Sequence, residues 1–435
     1  MDEELLGEHF QIFETFIVSM MVMQETDLFA LKKGLDESIF EHQGFDLRLF
    51  QRVLDLKKGG LTDVQSESKE VQFIFEHLRY DADSAQISTT NDYVRSLIGQ
   101  YKLERSRAQS ELQKQYSLLV VNACSVFEIL IGSLLAFELL HVYSPKAYVA
   151  KQTITFEGLL AAGSIENVHA ELIEAFIRRS QYASVASWLN DYLKICTTTK
   201  VFKNKFDKNE DDFQTLITRI FEMRNIFVHN NGIATERYQK LGGTTDIGSQ
   251  ISLSEKQVLE VIDAILDTGI RLFMLNLEKN HQCRDSKYRI RLNNLPIDYL
   301  RHQPKSFKVL YDYLIGMAIL DGSDVKKSQD ECVTYLMNVW LCYHFLATDF
   351  NVELTNYREA INFLNDGMQS SNLKFELWWS LVQKNQHNQV TAAIKFLESF
   401  DSLQQKLNNS ILPIFDILKQ DEMFVEYIKY LKYNS

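Results

Sequence analysis

The sequence predicts an all-α protein, on three observations. Proline occurs only four times in 435 residues, at positions 145, 296, 304 and 413, so almost the whole chain lacks the residue that breaks helices. Leu, Glu, Lys and Gln, which lose little rotamer freedom in a helix, are abundant. Apolar residues recur three and four apart over long windows, the period of one helix face. A chain of this length can bury a large core and suggests two or three domains.

The first 80 residues read as about three helices, broken at Lys57-Lys58-Gly59-Gly60. A polar stretch from Asp81 to Asp92 then reads as a linker closing an N-terminal helical region, residues 1–92. Within that region Ile39–Asp46 and Ile74–Asp81 match at Ile, Phe, Glu, His and Asp, and two copies are too few for a repeat fold. His42 with Asp46, and His77 with Asp81, are spaced to share a helix face, as a four-ligand metal site would require. Exposed His and Asp at helix ends are the ordinary alternative, and no metal or other cofactor is expected.

From Tyr93 to about Val142 one long helix is predicted, with Leu112, Tyr116, Leu119, Ala123, Val126 and Leu130 as its core stripe. Glu128 interrupts a second face between Ser125 and Gly132, small residues that would let another helix approach a buried carboxylate. Such a carboxylate needs a cationic or hydrogen-bonding partner, either a structural arginine or backbone donor, or else a catalytic role. Helices follow over Glu166–Arg179, Ala183–Lys194 and Asp211–Val228. Leu241–Gln250 is turn-rich with room for a short extended piece, and Ser254 with Gln257 forms a capping box that opens a helix to about Lys279. These helices make one bundle, residues 93–284.

Residues 286–304 hold two of the four prolines and a burst of positive charge, which marks a second boundary. The remaining region, 285–435, is helical and rich in aromatics. Arg358–Asp366 and Thr391–Ser399 align near the period of helix-hairpin repeats, a pattern that two unrelated amphipathic helices would also share.

A net charge of −12 argues against a general nucleic-acid binder, so any contact with RNA has to be local. Two basic clusters reverse the sign: Lys200, Lys203, Lys205 and Lys208, and Arg284, Lys287, Arg289 and Arg291. Both read as solvated faces unless a ligand uses them. The five cysteines form no CxxC pair, and Cys124 and Cys342 lie in apolar runs as reduced core thiols do. The start of the chain is acidic, and the longest strongly apolar stretch, Ile129–Phe137, is far shorter than a membrane span. A cytoplasmic protein with no membrane partner is expected. His9, His141, His169, His281, His302, His344 and His387 have no spacing that suggests chemistry, and no P-loop is present.

The segment Phe221–Lys240 is the exception. Phe213, Ile217, Ile220, Arg224 and Phe227 fall on one helix stripe, so a guanidinium occupies an apolar position. It either pairs with a buried carboxylate such as Glu128 or lines a cleft and holds a phosphate bidentately. His229 follows near the helix end, ahead of Asn230, Asn231 and Gly232, which tolerate the left-handed conformation of a C-cap. An arginine that binds phosphate and a histidine that moves a proton suffice to cut RNA without a metal. Five residues turn an ideal helix about 140° beyond a full turn, so one helix does not aim both side chains at one point. A second copy related by two-fold symmetry would complete the site.

The run from Arg224 through His229 to Gly232, with Arg-Asn at its start and Val-His-Asn at its end, resembles the signature of the HEPN superfamily (higher eukaryote and prokaryote nucleotide-binding domains), in its bacterial ribonuclease-type branches. The likeness covers roughly residues 105–280, with Phe127-Glu128 on a preceding helix and Tyr238 and a capped final helix after the motif. It implies a dimerising helical bundle that acts as a metal-independent endoribonuclease. The ribose 2′-hydroxyl would attack the adjacent phosphate, with His229 and Arg224 catalytic and Asn225 orienting the imidazole or donating to the phosphate. Asn230 and Tyr238 would contact substrate, and Glu128 would support the site. The resemblance also implies a toxin or abortive-infection effector whose flanking regions sense a trigger or bind a regulatory protein. Two alternatives stay open. One is an inactive HEPN-like bundle that binds a nucleotide or protein, with Arg224 paired to Glu128 and His229 only ending a helix. The other is a helical scaffold with no nucleic-acid role.

Overall fold

A computed structural model describes residues 3–24, 26, 28, 31–34, 45–60, 64–142, 153–182, 184–196, 210–279, 286–293, 300, 303–320, 325–367, 372–384, 386–410 and 412–434. The chain is all-α: helices make up nearly all its described elements, beside a single two-stranded antiparallel sheet. By contact it divides into two compact units that do not follow chain order, Val22–Cys124 with Arg219–Ile262, and Met1–Met21 with Ser125–Thr218 and Asp263–Ser435.

The first of these units begins with α2 (Phe45–Lys58), which follows α1 (Glu3–Gln24) in the chain. Gly60, at φ +71°, ends α2 where the sequence placed the break. Ser68 caps α3 (Lys69–His77) by accepting from the Val71 amide, and α3 leads into β1 (Leu78–Asp81), paired with β2 (Gln86–Thr89). Phe50, Val53 and Leu54 of α2, Ile74 of α3, Leu78 of β1, and Val94 and Leu97 of the next helix form one core, against which Ile87 packs.

The hairpin overturns the linker expected at 81–92. The Asp81 carboxylate accepts the Asp83 amide and the Ser84 hydroxyl, bonds that hold its pKa below the usual range, and Ala85 takes φ +54°. The Thr89 hydroxyl donates to the His77 carbonyl, so the strands are tied to the end of α3. Asp81 is therefore on a strand and not on the helix face of His77. No group of three His, Cys, Asp or Glu among the described residues could hold a metal; His42 and the Asp46 side chain lie outside them.

The long predicted helix is α4 (Asp92–Phe137), continued by a π-helical turn, Glu138–Val142. Its buried line is Tyr116, Val120, Ala123, Phe127, Leu130 and Leu134; Tyr116, Ala123 and Leu130 belong to the expected stripe, while Leu112, Leu119 and Val126 are half-buried and Val120 and Phe127 take their place in the core. Asp92–His141 contains an 18-residue window of mean hydropathy 2.2, enough by length and composition to cross a membrane, and half of that window is buried in the protein. The sequence reading counted a shorter apolar run because Asn122, Ser125 and Glu128 interrupt it.

In the second unit Glu128 is half-buried, not the buried carboxylate expected. That role falls to Glu138, at 0% exposure. The next helices are α5 (Phe156–Ala162), α6 (Ile165–Tyr182), α7 (Val185–Cys196), α8 (Glu210–His229), α9 (Glu236–Lys240) and α10 (Glu255–Lys279). Glu138 accepts from the Asn276 amide at 2.6 Å and pairs with Lys279, both on α10. Lys279 also donates to the Ile195 carbonyl near the end of α7. The α1 aromatics cover α10: the Phe13 and Phe273 rings stack 3.9 Å apart, and a Cβ on Gly269 would come within 2.2 Å of the Phe16 ring. Only glycine fits that crossing.

Beyond α10 come α11 (Ser286–Asn293), α12 (Pro304–Leu320), α13 (Val325–Phe345), α14 (Phe350–Glu353), α15 (Arg358–Gly367), α16 (Leu373–Val382), α17 (Gln386–Glu398), α18 (Leu403–Ser410) and α19 (Glu422–Asn434). α13 is the hub, packing against α12, α15 and α16, while α17 pairs with α16. Arg289 departs from the solvated basic face expected around it: it is 1% exposed and its Nε lies 2.6 Å from Glu331. Arg284, the side chain of Lys287 and the lysines at 200, 203, 205 and 208 lie outside the described residues. Cys124, Cys332 and Cys342 are buried and outside any disulfide, and burial pushes the Cys332 thiol up to about 12.

Removing the cation from the buried pair leaves Glu138 charged without its partner. Lys279→Met is expected to lower stability by about 3–5 kcal/mol, read as a lower urea midpoint, whereas Glu128→Gln changes it by less than about 1 kcal/mol.

Candidate active site at the end of the motif helix

The motif occupies the last two turns of α8. Ile217, Ile220, Phe221, Met223 and Ile226 are buried, while Arg224 and Phe227, on the same stripe, are half-buried. The Phe213 side chain lies outside the described residues. The Arg224 Nη1 donates to the Asn225 Oδ1 at 3.0 Å, and its Nε is shielded from water. Asn225 and His229 are exposed and four residues apart, so they share one side of the helix.

His229 is the last residue of α8 because the chain turns left-handed directly after it. Asn231 takes φ +48° and Gly232 φ +80°, and the Gly232 amide returns to the Ile226 carbonyl at 3.1 Å. Asn230, expected to contact substrate, serves this turn too: its side-chain amide donates to the Ile233 carbonyl at 2.7 Å. Ile233 then pairs with Gln250 as an isolated antiparallel bridge, the short extended piece anticipated in this loop. The Ala234 and Ile251 amides complete it, donating to Ser249 and Gly232.

Tyr238 is packed differently from the substrate contact expected of it. It is 7% exposed, burial pushes its phenol above the ordinary range against an opposing pull from Arg219, and its ring lies over Gly243. A second buried acid supports this end of the unit. Glu222, 9% exposed, accepts from the Thr235 hydroxyl at 3.2 Å and faces the Arg237 Nε at 3.3 Å, while Thr235 also caps α9. The sequence reading passed over Glu222. Its signal was present, since it lies between the apolar Phe221 and Met223 as Arg224 lies among apolar neighbours.

Beside the motif runs an open groove of about 740 Å³. Ser110, Gln113 and Ser117 of α4 line one side, and Phe227, Asn231 and Gln250 line the other. Gln113 holds the far rim by bonding the backbone of one residue twice, its side-chain amide nitrogen donating to the Leu253 carbonyl at 2.8 Å and its oxygen accepting the Leu253 amide at 2.7 Å. The expected capping box stands just beyond, with Gln257 accepting from the Ser254 amide at 2.8 Å and the Ser254 hydroxyl turned to the Gln257 amide. Arg224, Asn225 and His229 do not line the groove. Helical spacing nevertheless puts Arg224 on the groove side, one turn before Phe227 and Val228, with Asn225 and His229 round the helix from it.

The structure thus joins Arg224 to Asn225 and aligns Asn225 with His229, but does not converge Arg224 and His229 within one chain. Chemically it offers an oriented guanidinium and an exposed imidazole at a helix terminus. No family model, no curated protein and no solved structure gives a significant match to this chain.

Adding a methyl group at Gly243 would drive a Cβ to within 2.2 Å of the Tyr238 ring. Gly243→Ala is expected to cost about 1–3 kcal/mol in stability. The matching substitution Tyr238→Phe, which removes only a hydroxyl and keeps the buried ring, should change stability by less than about 1 kcal/mol, read as an unchanged urea midpoint.

Proposed function

We propose that the chain is a metal-independent endoribonuclease that works as a homodimer in the cytoplasm, of the kind used as a toxin or antiviral-defence effector. The observation that carries this reading is the end of α8, where exposed His229 stands one turn after Asn225 and Asn225 in turn holds the Arg224 guanidinium. The 2′-oxygen forms a bond to phosphorus as the bond to the 5′-oxygen breaks, leaving a 2′,3′-cyclic phosphate and a 5′-hydroxyl. Histidine, whose ordinary pKa lies near neutrality, takes the 2′-hydroxyl proton, and a proton is returned to the departing 5′-oxygen. Arg224 offsets the charge that builds on the phosphoryl oxygens. Because helical periodicity separates Arg224 from His229, the cut is made where the arginine of one copy meets the histidine of another. DNA lacks the attacking hydroxyl and is not a substrate. A regulatory protein holding the activity in check is part of this reading.

A second reading is favoured by one observation: the Nε of half-buried Arg224 is excluded from water, which suits a guanidinium with a structural task. In that case the bundle binds a nucleotide or a protein without cutting RNA.

The test is incubation of wild type, Arg224→Ala and His229→Ala with total RNA in EDTA, scoring fragments and 2′,3′-cyclic phosphate ends. Cleavage by wild type with a loss of about 10²-fold or more in each variant is expected. Cleavage that survives either substitution would falsify that residue's role, and an inert wild type would favour the binding bundle.

A further inference from the structure

We infer that the groove between α4 and the end of α8 is the site where a single-stranded RNA places its bases, with unpaired bases entering beside the Phe227 ring. This rests on the nuclease reading only for the identity of the reaction; the binding claim stands on the groove itself. Its volume, about 740 Å³, is in the range of ligand-sized clefts.

Its chemistry is selective. The chain carries 58 acidic residues against 46 basic ones, yet no carboxylate lines the groove, and the one charge there is Lys114. The other polar groups are hydroxyls and amides, among them Ser110, Asn231 and Gln250, with Gln113 already spent on Leu253 and the Ser117 hydroxyl donating to the Gln113 carbonyl. Neutral amides and hydroxyls both donate and accept, which is what the edge of an unpaired base requires. A phosphate-tracking channel would be cationic instead, and a site for a basic peptide would be acidic. The floor supplies a face for stacking. Phe227, half-buried at the end of α8, is the aromatic ring in that lining.

Position argues the same way. Val228 and Asn231, which line the groove, bracket His229 in the chain, and Arg224 lies one turn before Phe227 and Val228 on that side of the helix. A strand whose phosphate meets Arg224 therefore has its neighbouring base at the groove. Base-edge recognition would then decide which phosphate is presented for cutting, so Ser110, Asn231 and Gln250 are specificity-determining residues.

The experiment is fluorescence anisotropy with labelled oligouridylate and oligoadenylate octamers, on full-length protein carrying His229→Ala so that no cleavage interferes. Two further changes are added singly: Ser110→Trp, which fills the groove from an exposed position on α4, and Asn231→Gly, which removes the amide while keeping the left-handed backbone. Each is expected to weaken binding about tenfold or more and to shift the preference between the two oligomers. RNA bound equally well in both variants overturns the inference, as does no RNA binding by the parent protein, an outcome that would leave the groove to a neutral peptide. Failure of the nuclease reading is distinguishable. Base binding lost on filling the groove, in a chain whose wild type never cleaves, upholds the groove without the reaction; cleavage unaltered in site and rate by Ser110→Trp upholds the reaction without the groove.

Discussion

A carboxylate cut off from water has to be answered by the protein, and much of the second unit is arranged around the answer given to Glu138. Its partners Asn276 and Lys279 stand three residues apart on α10, so one helix face supplies both an amide and a cation. Lys279 spends a second hydrogen on the Ile195 carbonyl, which fixes the end of α7 in the same stroke. At this residue α4 passes into its π-helical turn, a local rewinding that lets the chain depart from the helix axis while the carboxylate stays aimed inward. The aromatic layer of α1 lies over the same α10, with Phe13 on Phe273 and Phe16 on Gly269. Burial of these rings supplies the apolar stabilisation, and the ion pair selects one registration among the many that grease alone would allow.

The first unit uses the same device on a smaller scale. Glu222 is held by Thr235 and Arg237 and so pins α9 against α8, directly upstream of the residues proposed to act on RNA. Rigidity is what that end of the helix needs. An exposed imidazole is useful only if the backbone beneath it is fixed, and the left-handed pair Asn231 and Gly232 fixes it by stopping α8 abruptly. Under the proposed reaction, the spacing of Arg224 and His229 makes catalysis a property of two chains rather than one, and places the strength of self-association directly in control of activity.

Much of this was legible in the residues. The α8 and α10 helices, the capping box at Ser254, the break after Lys58 and the cap at Asn231 and Gly232 all follow from local rules, because caps and turns depend on a few adjacent side chains. What escaped was set by distant partners. The hairpin at 78–89 has strands of four residues, too short for alternation to stand out, and is held by Asp81, Ser84 and Thr89, whose polarity reads as linker. Glu128 and Glu138 lie on one continuous helical stretch in similar apolar company, and only the position of Asn276 and Lys279 decides which is sealed. Arg289 pairs with Glu331 across a separation no local window spans. The site follows the same division: its motif was visible as a string, while the groove beside it depends on α4, more than a hundred positions earlier, and left no trace in the motif.

The loop from Ala234 to Ser249 is stitched at its base, through the bridge of Ile233 and Gln250 and the amides of Ala234, Gly248 and Ile251, before it meets the groove. A closed base uncouples the tip from what lies beneath it, because lengthening a loop whose ends are already joined costs only a logarithmic increment of chain entropy. The exposed crown around Asp246 and Ile247 can therefore vary in length and composition while the rim at Gln250 and Ile251 keeps its place. An insertion beside exposed Ile247 would thus disturb the groove less than one beside Gln250, whose backbone closes the base.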